Sequence, residues 1–205
     1  MQSTIASLIE SRASVNNFDA GRALTDGQIT ELVRLATLAP SAYNFQNWKF
    51  IAVRAQAAKE RLKEVAYNQQ KVADAAVTFI ICGTLGAHEG LPRALQPSVD
   101  AGILAQSVAD SWVAMASGAH PGNPQLQRDE AIRSASLAAM TLMLAAEGMG
   151  LASCPMSGFD ADGVARAFKL GANEVPVMLV TVGHAAQDNW PPKRRRPVRE
   201  VLELV

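Results

Sequence analysis

Neither sign of charge prevails in this sequence: 19 lysines and arginines balance 19 aspartates and glutamates, for a formal net charge of zero. No global field holds such a chain on DNA or on an anionic membrane, so any site for an anionic partner has to be local. Cysteine is scarce. Cys82 and Cys154 lie far apart, each in an apolar segment, which excludes a disulfide framework and a CxxC redox pair and leaves two buried, reduced thiols, as in a cytoplasmic protein. No apolar run is long enough to span a bilayer. The opening MQSTIASLIESR has Ile5, Leu8 and Ile9 at helical spacing but neither the basic start nor the long apolar stretch of a signal peptide, and reads as an amphipathic helix. His88, His120 and His184 share no metal-ligand spacing and read as exposed loop residues beside Gly, Ala or Pro. A GxSxG elbow, a P-loop, a GxGxxG turn after a strand, internal repeats and low-complexity tracts are all missing.

What is present suits a single domain, residues 1–205, since 49% hydrophobic residues supply an ordinary core. Thr25 and Gln28 have the spacing of a capping box, followed by an apolar stripe of Ile29, Leu32, Val33 and Ala36 that ends at Pro40. Strand alternation marks 48–53, a charged amphipathic helix 56–67 and a β-branched buried strand 77–82. Val99, Ile103, Val108, Trp112 and Met115 mark one further helix. Residues 130–149 are apolar on nearly every side, so that helix is expected to be buried all round, in a core or in a subunit interface. A short helix at 160–168, a central strand at 175–182 and an irregular tail from Gly183 complete the chain. Interleaved helices and strands of this kind predict an α/β or α+β sandwich that dimerises.

Five short segments carry chemistry. Arg12 and Ser14, in the loop after the first helix, offer a guanidinium fork and a hydroxyl suited to phosphate oxygens. APSAYNFQNWKF, residues 39–50, turns from a helix to a strand through amide and hydroxyl side chains that suit a planar polar ligand. Asn68 and Lys71, three apart, fall on one face of a helical turn before the buried strand. SCPMSGFD, residues 153–160, reads as a Pro and Gly bend that follows a strand, where Gly158 admits a ligand close to the backbone. WPPKRRRPVRE, residues 190–200, gathers Lys193, Arg194, Arg195, Arg196 and Arg199. Taken singly, each has a plainer reading: a cap, a turn, a snorkelling lysine, a β-to-α connection, and a solvated or nucleic-acid-attracting tail.

In this order the segments resemble the FMN-dependent nitroreductase family over the whole chain. The family pattern appears as Arg12 and Ser14, then Pro40-Ser41 with Asn44, Gln46 and Trp48, then Asn68 and Lys71, then Pro155 and Gly158, then Lys193, Arg195 and Pro197. The resemblance implies an α+β fold, a nitroreductase-like sandwich with a mostly antiparallel central sheet flanked by helices, in an interlocked homodimer. Two FMN sites at the interface are each built from both chains, with the tail 183–205 serving the phosphate site and the dimer.

The implied FMN-binding residues are Arg12, Ser14, Asn16, Pro40, Ser41, Asn44, Asn68, Lys71, Ser157, Gly158, Lys193 and Arg195. Arg12, Ser14, Lys193 and Arg195 serve the phosphate. Lys71 and Asn68 serve the pyrimidine edge, Lys71 as an electrostatic tuner and not as a catalyst, and the backbone of Ser157 and Gly158 serves the N5 and O4 side. The implied activity is hydride transfer from NADH or NADPH, followed by reduction of a nitro compound, a quinone or a similar acceptor, with no nucleic-acid or membrane partner. The chain departs from the pattern at Asn16, often basic in the family, at Asn47, often proline, and at Ser157, often acidic. Two other classes stay open on sequence alone: a flavin-sequestering protein, which keeps every FMN contact, and a nucleic-acid adaptor, which uses the tail alone.

Overall fold

The computed structural model describes residues 4–205. Its centre follows from strand alternation. β1 (Trp48–Val53), β2 (Val77–Thr84), β3 (Ala152–Met156) and β4 (Glu174–Gly183) form one sheet in the order β1-β2-β4-β3, every pair antiparallel. Because successive side chains leave a strand on opposite faces, Val77, Phe79 and Ile81 of β2 join one core while Ile80 and Cys82 join the other. β4 divides likewise, with Val180 and Val182 on the first face and Leu179 on the second. Pro176, which has no N–H to give a ladder, sits opposite Cys82 where the β2–β4 register shifts and beyond the stretch paired to β3.

Helices cover both faces, which gives the expected α+β sandwich. On the first lie α2 (Asp26–Ala36) and α7 (Pro124–Gly148), burying Leu32, Ala36, Ala135, Ala139, Leu142 and Ala146. On the second lie α3 (Gln56–Val65), α4 (Lys71–Asp74) and α8 (Ala161–Ala167), burying Leu62, Val72 and Val164. Each fully buried Leu or Val contributes roughly 1.5–3 kcal/mol. Thr25 caps α2 through the full capping box with Gln28. α7 packs close to β2 because Gly83 faces Ala131: a Cβ on Gly83 would lie 2.7 Å from the Ala131 Cβ. α1 (Ile5–Ser11) contacts α7.

Five expectations are corrected. The stripe from Val99 to Met115 is divided between α5 (Ala87–Asp100) and α6 (Gln106–Ala119), since Gly102 at φ 67° turns the chain and leaves Ile103 exposed in the connection. α7 begins earlier, at Pro124, with Asn123 capping Leu126 N–H at 3.1 Å. Within one copy its burial is one-sided, Leu137 and Met140 remaining 46% and 37% exposed, which leaves the expected subunit interface as the place for its other face. His88 and His120 are not exposed loop residues: both are buried, their rings stacked at 5.6 Å in the aromatic cluster of Tyr43 and Phe45 under the α5–α6 hairpin. Asn68 and Lys71 do not share a helical face, because Asn68 is left-handed at φ 55° and α4 starts only at Lys71. Finally, Ser153 to Met156 do not follow a strand but form most of β3, an edge strand that tolerates Pro155.

Candidate functional site

Four segments distant in sequence meet beside the β3 edge. The loop after α1 pairs with that edge through a parallel bridge between Ser14 and Ser153, with Val15 N–H donating to Ser153 O at 3.1 Å. The turn before α4 reaches the same place. Lys71 Nζ donates to Asn16 Oδ1 at 2.8 Å, and Gln69 Nε2 donates to the carbonyl oxygens of Gly158, at 2.8 Å, and Ala66, at 3.0 Å. The tail after β4 runs back along the α1 loop: Asp19 N–H donates to His184 O at 2.9 Å, Ala186 N–H to Asn17 O at 2.9 Å, and Phe18 bridges to Ala185.

A hollow opens where the loop and the tail face each other, lined by Arg12, Ser14, Trp190, Lys193 and Arg195. Arg194 and Arg196 are not among its lining residues. Lys193 Nζ lies 4.9 Å from the centre of the Trp190 ring, and Arg195 Nη1 donates to Lys193 O at 2.9 Å, which curls the tail around the opening. Two buried polar atoms in these segments, Arg12 Nη1 and Ser153 Oγ, have no partner among the described residues. Such atoms are costly unless something else meets them.

Cys154 reports how closely the cations converge. Burial pushes its thiol pKa up, while Lys71, Arg12 and Lys193 all pull it the other way. Three positive side chains from three segments thus act on one thiol, and among the described residues no carboxylate is counted with them. The field at the site is positive although the chain is neutral.

Of the sequence-predicted residues, Arg12, Ser14, Lys193 and Arg195 share the hollow, and Asn16 and Lys71 share a second one with Gln69 and Gln70. Ser157 and Gly158 are exposed at the end of β3, and Asn68 is exposed on the turn that Gln69 ties to Gly158. Pro40, Ser41 and Asn44 lie elsewhere, on the turn before β1, whose Phe45 packs with the α5–α6 hairpin. That turn holds a rare backbone: Tyr43, Asn44 and Gln46 have φ of 51°, 59° and 50°, and Ser41 Oγ accepts from Gln46 N–H at 2.9 Å. Non-glycine residues with positive φ concentrate at functional segments, and Tyr67 and Asn68 repeat the pattern. Sequence reasoning missed Gln69, Cys154 and Asn189. Their partners are 89 to 173 residues away for Gln69 and Asn189, so no local spacing marks them.

The chain is similar to known proteins over most of its length. The chain matches the model of the Nitroreductase family over residues 9–184. MhqN of Bacillus subtilis (strain 168), whose name assigns it to the NAD(P)H nitroreductases, is 35% identical over 97% of each chain. A Thermus thermophilus protein named NADH dehydrogenase is 28% identical over 86% of this chain and 84% of its own. A solved structure from Exiguobacterium sibiricum 255-15, assigned to the nitroreductases and in complex with FMN, superposes with a TM-score of 0.90 at 28% identity, covering 99% of this chain and 98% of its own. With a family match over most of its length and the Arg12, Lys71 and Arg195 segments gathered at one sheet edge, this chain belongs to the nitroreductase family.

Proposed function

We propose that this chain is a single FMN-binding domain working as a homodimer, an oxidoreductase that uses NADH or NADPH to reduce nitro compounds, quinones or similar activated acceptors in a ping-pong sequence. FMN, when bound, supplies the redox chemistry: it takes a hydride from the nicotinamide and passes electrons to the second substrate.

The residues present fit that group. Its phosphate dianion calls for charge-assisted donors, and Arg12, Ser14, Lys193 and Arg195 offer them around one hollow, with Arg12 Nη1 buried and without a partner among the described residues. This orphaned guanidinium nitrogen is the observation that carries the reading. Lys71, held by Asn16, supplies the cation for the pyrimidine edge and stabilises negative charge there. Asn68 serves the same edge, and the backbone of Ser157 and Gly158 orients the opposite one; a Cβ on Gly158 would meet nothing nearer than 3.8 Å, so the approach is open. None of these side chains is assigned as an acid or base, and the proton the acceptor needs is assigned to water. Pro40, Ser41 and Asn44, remote from the hollow in one chain, are assigned to the site of the partner copy. Relatives and neighbours named for NAD(P)H and FMN support the donor and the cofactor.

The test separates the two faces of the basic run. Losing a charge-assisted hydrogen bond costs roughly 1.5–3 kcal/mol, about ten- to a hundredfold in affinity. Titration of apoprotein is expected to show Arg195→Ala weakening FMN by that factor while riboflavin, which lacks the phosphate, changes little, and Arg194→Ala doing much less. Equal losses for both ligands, or a larger effect at Arg194, would remove Arg195 from the phosphate.

A further inference from the structure

Asn189 makes four hydrogen bonds with one side chain. Its Oδ1 accepts from the N–H groups of both Asn16 and Asn17, each at 2.9 Å, and its Nδ2 donates to Asn17 O at 2.8 Å and to Ala186 O at 3.0 Å. Asn17 returns the contact, its Nδ2 donating to Asp188 O at 3.1 Å. A carboxamide has two donor hydrogens and one acceptor oxygen with two lone pairs, so Asn189 is saturated. It spends nothing on its own turn except the bond to Ala186.

What this side chain joins is more telling than how well it is satisfied. On one side, Asn16 uses its backbone N–H for Asn189 and its side-chain oxygen for Lys71. On the other, Asn189 immediately precedes Trp190, and Trp190, Lys193 and Arg195 line the hollow opposite Arg12 and Ser14. The tail beyond Gly183 belongs to no strand, apart from the single bridge at Ala185, and residues 191–205 are exposed. The backbone bonds of His184 and Ala186 and the Asn17 bond to Asp188 tie the start of the tail to the loop, and Asn189 is the last tie before Lys193 and Arg195. Asp188, at φ 63°, bends the chain into the clamp, an uncommon conformation held by the bonds on either side of it.

We propose that Asn189 is a positioning residue for both ends of the flavin site. By locking the tail to the backbone of Asn16 and Asn17, it sets Lys193 and Arg195 against Arg12 at the phosphate end and sets Asn16, hence Lys71, at the ring end. It does so without touching the flavin. The assignment rests on the FMN reading for its ligand and on the hydrogen bonds alone for the clamp.

The test uses the full chain as Asn189→Ala and Asn189→Asp. Ala removes all four bonds; Asp keeps an acceptor for the two N–H groups, loses both donors and sets a charged oxygen against the carbonyls of Asn17 and Ala186. Amide hydrogen exchange on apoprotein reads the clamp directly, and titrations with FMN and riboflavin read its effect on the site. In Asn189→Ala the Asn16 and Asn17 amides are expected to exchange at least about tenfold faster, FMN affinity to fall about ten- to a hundredfold, and the preference for FMN over riboflavin to shrink. Asn189→Asp, which keeps the acceptor, is expected to protect those two amides better than Asn189→Ala does. A merely structural asparagine would lower stability and leave the FMN-to-riboflavin ratio at its wild-type value. That ratio unchanged in Asn189→Ala overturns the proposal, as does unchanged exchange at Asn16 and Asn17. Failure of the flavin reading shows differently, in a wild-type chain that takes up no FMN.

Discussion

Lys71 ends on the carboxamide of Asn16 at 2.8 Å, and that contact decides what its charge is worth. A basic residue at position 16 would repel the ammonium, whereas a neutral oxygen aims it and leaves its charge intact. Two cations become one, better fixed. At an effective dielectric of about 20, a unit charge about 4 Å from a site of developing negative charge is worth about 4 kcal/mol. For a two-electron couple, where about 30 mV corresponds to 1.4 kcal/mol, this is on the order of 90 mV as an upper value. Lys71→Met is therefore expected to lower the midpoint potential of the bound flavin by about 30–90 mV and to slow its reduction by NAD(P)H, with a smaller loss of FMN retention. Spectroelectrochemical titration checks this, and an unchanged potential removes Lys71 from the role.

Among the elements, β2 and α7 meet at the tightest contact with a glycine, and the consequence is measurable. Gly83→Ala would drive a Cβ to 2.6 Å from the Ala131 carbonyl carbon, where neither backbone has a flexible end to yield. Urea denaturation is expected to show a loss of roughly 1–3 kcal/mol or more. Gly90, inside α5 with nothing within 4 Å of its virtual Cβ, is the contrast: Gly90→Ala is expected to gain about 0.5–1 kcal/mol. Comparing the elements also shows what the sequence makes legible. α2 announces itself through Thr25 and Gln28, and β2 through an apolar run broken only by Thr78 before Gly83, because capping and burial write local signals. α5 does not, since Pro92 and Pro97 lie within it and its helicity depends on Leu91 and Leu95 packing against α6. The site divides in the same way. Arg12, Lys71 and Lys193 are visible as motifs, whereas Gln69 and Asn189 act through partners supplied by the fold.

As a whole molecule, the chain presents apolar side chains that a lone copy leaves in water. Ile5, Ile9, Leu137 and Met140 are exposed on α1 and α7, and Ile9 and Met140 line a hollow together with Arg12, Lys193 and Arg195. The proposed dimer interface is therefore contiguous with the phosphate site. Each buried Leu or Met contributes roughly 1.5–3 kcal/mol, and two copies double the effect. Light scattering is expected to give twice 21.8 kDa for the wild-type chain and 21.8 kDa for Leu137→Glu/Met140→Glu, with weakened FMN retention in the monomer. A variant that stays dimeric would move the interface away from this face of α7.

The clamp at Asn189 also imposes a schedule on synthesis. Its partner Asn16 lies 173 residues earlier, and at about 5–20 residues per second a ribosome takes roughly 9–35 s to travel between them. By the end of that interval β1 and β2 have been made, and Trp190, Lys193 and Arg195 of the other wall are still to come. A growing chain has no complete place to keep a flavin. A flavin that needs both walls is therefore expected to load only after the last of these residues has been made.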